Sequence, residues 1–100
     1  MASMRDARRR PTHPGELLRE DVLPGLGMSQ TELARRLGVS RLSVSELCHE
    51  KRALTADMAV RIGRLTGTDP ESWLRMQGAL DLWELARDAK RYRHIEPVEA

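Results

Sequence analysis

The stretch that most constrains this chain is Met28-Ser-Gln-Thr-Glu-Leu-Ala-Arg-Arg-Leu-Gly-Val-Ser-Arg-Leu-Ser-Val-Ser-Glu-Leu-Cys-His-Glu-Lys-Arg-Ala-Leu-Thr55. It reads as two short helices joined by a tight turn. Ser29 with Glu32 three residues later forms a capping box: the hydroxyl takes the Glu32 amide and the carboxylate reaches back to the Ser29 amide. Leu33, Ala34 and Leu37 follow at helical spacing, and Gly38 tolerates the positive φ that ends a helix. Ser40 caps the next helix. There Val44, Leu47 and Cys48 share one face, and Leu42, Ser45, Glu46 and His49 share the other. A helix of about three turns, anchored by three inward residues and presenting small and polar groups, suits a DNA major groove. A plain αα-hairpin in a small bundle would show the same caps and periodicity.

The details favour DNA. Gln30 is the first helical residue, where it can bond a phosphate beside the positive end of the helix dipole. Ala34 is small where two crossing helices must come close. Leu37-Gly38-Val39-Ser40 has the length of the turn between the two helices of a DNA-binding pair. Arg41 opens the second helix, where such helices contact bases. The base-contact candidates are Arg41, for a guanine, with Leu42 and Ser45. Leu42 faces a thymine methyl or is simply an exposed leucine. Gln30, Arg36, Ser43, His49, Lys51 and Arg52 are the phosphate candidates. Glu46 points the same way and would repel phosphate. It accepts from cytosine N4, or orients Arg41 or another nearby cation.

This stretch resembles the helix-turn-helix of the Cro/cI-type (XRE) repressors. Thr12-His-Pro-Gly-Glu-Leu-Leu-Arg-Glu20, Leu54-Thr-Ala-Asp-Met-Ala-Val-Arg-Ile62, Gly67-Thr-Asp-Pro-Glu-Ser-Trp-Leu74 and Leu80-Asp-Leu-Trp-Glu84 resemble, in that order, the HigA-type antitoxins of toxin–antitoxin modules. The similarity covers roughly residues 12–88. It implies an all-α, five-helix, lambda-repressor-like domain and a homodimer on palindromic operator DNA. It also implies repression of its own operon and neutralisation of a RelE-like (HigB-type) mRNA endonuclease toxin by complex formation. A stand-alone repressor without a toxin, or an interaction module that has lost DNA binding, are the alternatives. Relatives often carry Asn-Gly where this chain has His49-Glu50, which leaves the aim of Lys51 and Arg52 open.

Composition agrees with a small helical domain. The chain has 100 residues, 40% hydrophobic and 32% charged, with no Phe, so Leu, Val, Ala and Met must fill most of the core. Residues 29–55 carry five basic against three acidic side chains, whereas residues 56–100 carry seven against eight. The basic excess therefore lies toward the N-terminal half, as a DNA face there requires, although a mixed-charge solvated surface explains differences this small. A single cysteine fits a reducing cytoplasm, and the sequence has no signal-peptide core and no apolar run near the roughly 20 residues of a membrane span. Cys48 reads as a small core residue. His13, His49 and His94 lack metal-ligand spacing. No catalytic residue, metal or cofactor is expected.

Residues 1–11 read as a flexible basic arm, whose Arg8-Arg9-Arg10 follows phosphates, enters a minor groove, or is merely solvated. Residues 12–88 form the domain and 89–100 a polar, frayed tail. Thr12 or His13 caps a first helix with Leu17, Leu18 and Val22 inward, ended by Pro24-Gly25. The next two helices cover about 30–37 and 41–49. Thr55 caps a fourth, about 56–66, with Ala59, Ile62 and Leu65 inward. Asp69-Pro70 opens the fifth and longest, to about Asp88. Its Trp73, Met76, Leu80 and Trp83 supply a dimer interface, or else the helix closes the core of one protomer.

Overall fold

Helices begin where a side chain can take the amides that a first turn leaves free. In the computed structural model, which describes residues 8–99, each long helix starts in this way. Ser29 Oγ accepts from the Glu32 amide at 3.1 Å and Ser40 Oγ from the Ser43 amide at 3.0 Å. Thr55 Oγ1 accepts from Met58 at 3.2 Å and Asp69 Oδ1 from Glu71 at 3.0 Å. These caps open α3 (Gln30–Leu37), α4 (Arg41–Cys48), α5 (Ala56–Thr66) and α6 (Pro70–Ala86). Gly38 and Gly67, both at φ 72, end α3 and α5. There is no strand among the described residues.

The first helix departs from expectation. His13, not Thr12, is the cap, its Nδ1 accepting from the Gly15 amide at 2.9 Å. Pro24-Gly25 does not end the helix. α1 (Pro14–Leu17), a π turn (Leu18–Val22) and α2 (Leu23–Leu26) run on without a break to Gly27, at φ 61. A proline inside a helix meets the carbonyl four residues back. Here the turn directly ahead of Pro24 is widened, the Leu23 amide donating to Leu18, and the helix passes through the proline.

The C-terminal end differs as well. α6 stops at Ala86, and a short α7 (Ala89–Tyr92) forms in the expected frayed tail. Residues 1–7 of the expected arm lie outside the described residues.

α3 packs on α4 and α5, α5 packs on α6, and α1 bridges α4 and α6. The core joins Leu18 and Leu23 to Leu33, Ala34, Leu37, Val44, Leu47, Cys48, Leu54, Met58, Ala59, Ile62 and Trp73. Leu17, Val22 and Leu65 pack on it half-buried. Two of the four expected dimer residues belong to the protomer's own interior: Trp73 is 4% exposed and Leu80 1%. The Trp73 indole also donates to Thr68 Oγ1 at 2.8 Å. α6 spends that face on its own chain, which leaves Met76 and Trp83 half-buried at the surface.

α1 and the end of α4 approach each other closely. A methyl group on Gly15 would lie 1.7 Å from the Leu47 carbonyl oxygen. Gly15→Ala must therefore push the two helices apart, at about 1–3 kcal/mol or more. Gly25, helical with nothing within 4 Å of an added methyl, is the control. Gly25→Ala should be neutral or stabilising by up to about 1 kcal/mol. Denaturant unfolding of both variants checks this.

Candidate nucleic-acid interface

α4 presents one face to the core and one to solvent. Val44, Leu47 and Cys48 are at most 1% exposed. Opposite them, Leu42 is 64% exposed, Arg41 is exposed, and Ser45 is half-buried one turn on. The structure thus gathers the three base-contact candidates on one outer surface. Burial pushes the Cys48 thiol up, with Arg19 acting more weakly the other way, so the sulfur stays protonated and packs as a core atom.

The expected phosphate contacts are less uniform. Gln30 lies at the start of α3, half-buried. Among the described residues neither Arg41 nor Lys51 has a side-chain partner. Arg36 pairs with Glu32 at 3.2 Å. The His49 Nδ1–H donates to the Ser45 carbonyl at 2.7 Å, so that nitrogen helps to finish α4 and is not open to a phosphate. Arg52 donates to Glu46 Oε1 at 2.6 Å and to Ser43 Oγ at 3.0 Å. Glu46 thus orients Arg52, not Arg41. Glu32 also differs from expectation: its carboxylate pairs with Arg35 and Arg36, and only the serine half of the capping box forms.

The loop after α4 takes the left-handed turn that glycine would favour, at Glu50 with φ 62. The Lys51 amide closes the turn on the Glu46 carbonyl at 2.8 Å. Glu50 is held there by Arg10 at 3.3 Å and Arg19 at 3.5 Å, which offset part of the backbone strain.

Comparison with known proteins places this geometry. A helix-turn-helix family model matches residues 18–73. The chain belongs to the XRE-type helix-turn-helix family. It is 43% identical over 86 residues to virulence-associated protein I of Dichelobacter nodosus, covering 86% of this chain and 80% of that protein. It is 40% identical over 96 residues to antitoxin HigA-1 of Vibrio cholerae, covering 95% and 90%. The solved structure of Pseudomonas aeruginosa antitoxin HigA with higBA promoter superposes with a TM-score of 0.80 at 36% identity, over 90% of this chain and 100% of that one. The family is one of DNA-binding regulators and antitoxins, not enzymes. Among the described residues no helix is long and apolar enough to cross a membrane, and no group of three His, Cys, Asp or Glu could hold a metal.

α3 and α4 both lie within the matched helix-turn-helix region. Four residues that position them were not singled out from the sequence. Gly15 lets α1 touch the Leu47 carbonyl. Arg19 donates to the Cys48 carbonyl at 2.7 Å. Arg61 donates to the Leu37 carbonyl at 2.8 Å and pairs with Asp57. Gln77, 6% exposed, accepts from the Leu54 amide at 2.8 Å and fixes the loop that carries Lys51 and Arg52. The only sequence signal among them is the i,i+4 spacing of Asp57 and Arg61, which reads as an ordinary surface pair.

Hydrogen bonds from Arg35, then Arg36, hold the Glu32 carboxyl at about 2 against an ordinary 4.5. The folded state thus keeps the carboxylate better than the unfolded chain does. This contribution is complete above the ordinary value and is lost as pH falls through about 2. A carboxyl-detected NMR titration should find Glu32 titrating near 2, and Arg35→Ala should move it up toward 4.5.

Proposed function

We propose that the protein is a homodimeric antitoxin that reads a palindromic operator with α4, represses its own operon in the cytoplasm, and neutralises a RelE-like mRNA endonuclease by binding it. The observation that carries the DNA part is the outer face of α4, with Arg41 and Leu42 exposed at its first turn and three buried side chains anchoring the other side. Likeness to an antitoxin HigA solved with promoter DNA supports it. In this reading Arg41 takes a guanine O6/N7 edge and Leu42 a neighbouring thymine methyl, with Ser45 alongside. Gln30, Lys51 and Arg52 lie against phosphates.

The toxin part rests on family membership. Its test is co-purification with the product of a small basic reading frame next to the gene. Absence of such a frame, with operator binding intact, would leave a stand-alone repressor.

A second copy is proposed to dock on the outer side of α6. Leu82 is 71% exposed and Leu85 37% on the side of α6 away from Trp73 and Leu80, and Met76 and Trp83 stay half-buried at the edge of the inward face. Leu82→Glu and Trp83→Ala should give monomers in sedimentation with weakened operator binding. Leu80→Glu would test the core instead. Wild type that is monomeric while tightly bound to operator removes the dimer.

Arg41→Ala should cost roughly 1–3 kcal/mol on operator and relax preference at one base pair per half-site. Thermal stability should stay within about 0.5 kcal/mol, because Arg41 is exposed. Val44→Ala should do the reverse, losing stability through a core cavity. Operator binding with each base pair varied in turn is the measurement. Wild-type behaviour of Arg41→Ala on every variant would remove α4 as the reader.

A further inference from the structure

Two side chains of α4 hold the Arg52 guanidinium. It spans Ser43 and Glu46, one turn apart on α4, at 3.0 Å and 2.6 Å. Ser43 in turn shares a hydrogen bond of 2.8 Å with Ser40 Oγ, the N-cap of α4. A chain of polar contacts, Ser40–Ser43–Arg52–Glu46, therefore runs along the helix. The backbone end of Arg52 is fixed as well. The left-handed turn at Glu50 closes on one side, through the Lys51 amide on the Glu46 carbonyl at 2.8 Å. The Leu54 amide is tied to buried Gln77 on the other.

An exposed ion pair of this kind adds little to stability, because water screens it and a long side chain loses its freedom. The Glu46 and Arg52 side chains keep 35% and 41% of their surface exposed. A carboxylate on the face of a DNA-reading helix also repels the phosphate backbone. A simple charge count would therefore have Glu46 weaken binding.

We propose that Glu46 is a positioning residue which, with Ser43, presets the Arg52 guanidinium as a donor to operator DNA. Two of the five guanidinium N–H groups are used on Ser43 and Glu46, and three remain for DNA. Arg52 then enters the complex already ordered, and the freedom lost on binding is correspondingly smaller. This rests on the reading of α4 as the DNA-contacting helix. It makes Arg52 a phosphate contact preset for the backbone geometry of the operator, rather than a cation that neutralises any phosphate alike.

The two accounts predict opposite signs for one substitution. The probes are a duplex selected by the full-length chain from a random-sequence pool and an unrelated duplex of equal length. Wild type, Glu46→Ala, Arg52→Ala and the double variant are titrated against both by fluorescence anisotropy. Glu46→Ala should bind the selected duplex about tenfold more weakly, and the unrelated duplex at least as well as wild type. The double variant should lose no more than Arg52→Ala alone, the mark of two residues acting as one unit. Glu46→Gln, which keeps an acceptor without the charge, should recover part of the loss. Unchanged thermal midpoints separate these effects from folding. Equal or tighter binding of the selected duplex by Glu46→Ala overturns the proposal, as do losses that multiply in the double variant. If wild type selects no sequence, the DNA reading of α4 itself falls, which is a different result from any of these.

Discussion

The end of α4 is the constraint on which the placement of that helix depends. A helix end leaves its last carbonyls without partners inside the helix. Here the following turn supplies the Lys51 and Glu50 amides to the Glu46 and Leu47 carbonyls, and a distant arginine takes another. The Leu47 carbonyl lies against Gly15 so closely that no side chain fits between. The Cys48 carbonyl accepts from Arg19, and the Ser45 carbonyl from His49. An eight-residue helix has little stability of its own. Val44, Leu47 and Cys48 settle which face turns inward, but apolar contact is non-directional and leaves tilt and sliding loosely determined. A close backbone approach and a charge-assisted hydrogen bond at one end remove that freedom.

The same device recurs at the other helix of the pair. Arg61, on α5, reaches the Leu37 carbonyl where α3 ends. Gln77, on α6, takes the Leu54 amide just past the loop that leaves α4. Each supporting helix thus sends a polar atom to the backbone of the motif or of its flanking loop. A DNA-reading surface needs this, since contacts to base edges tolerate little misplacement. Glu50 shows the cost of that arrangement. It occupies a left-handed conformation that a glycine would adopt without strain, and two arginines hold it there.

What was legible in the sequence was what local chemistry decides. Ser29, Ser40, Thr55 and Asp69 open their helices because a capping side chain acts within three residues of itself. The inward faces of α3, α4 and α5 follow from spacing alone. What was missed depends on partners far along the chain. Pro24 reads as a stop until a widened turn upstream accommodates it. Trp73 and Leu80 share a stripe with Met76 and Trp83, and periodicity cannot say that half the stripe packs inside the protomer. Glu32 was expected to reach its own cap, but two arginines on the next turn offer a stronger partner than a backbone amide. The base-contact candidates were legible as an outward face. The ion pairs that engage the phosphate candidates Arg36 and Arg52 were not.

Those ion pairs change what the charge of the interface means. Residues 29–55 carry Arg35, Arg36, Arg41, Lys51 and Arg52 against Glu32, Glu46 and Glu50. Glu32 takes Arg35 and Arg36, and Glu46 takes Arg52. Glu50 turns to Arg10 and Arg19 from outside the stretch. Arg41 and Lys51 are left as the cations of the stretch without a side-chain partner among the described residues. Any phosphate reaching Arg36 has to compete with a carboxylate already in place, whereas Arg52 keeps three N–H groups beside its contacts to Glu46 and Ser43. Counterion release scales with phosphates actually neutralised, so the salt dependence of binding should reflect fewer contacts than the arginine content implies. The carboxylates subtract least where DNA geometry lets one guanidinium serve both partners at once. An arrangement of this kind weakens attachment to arbitrary DNA more than attachment to a matched site. In the DNA reading proposed above, discrimination draws on acidic residues as well as basic ones.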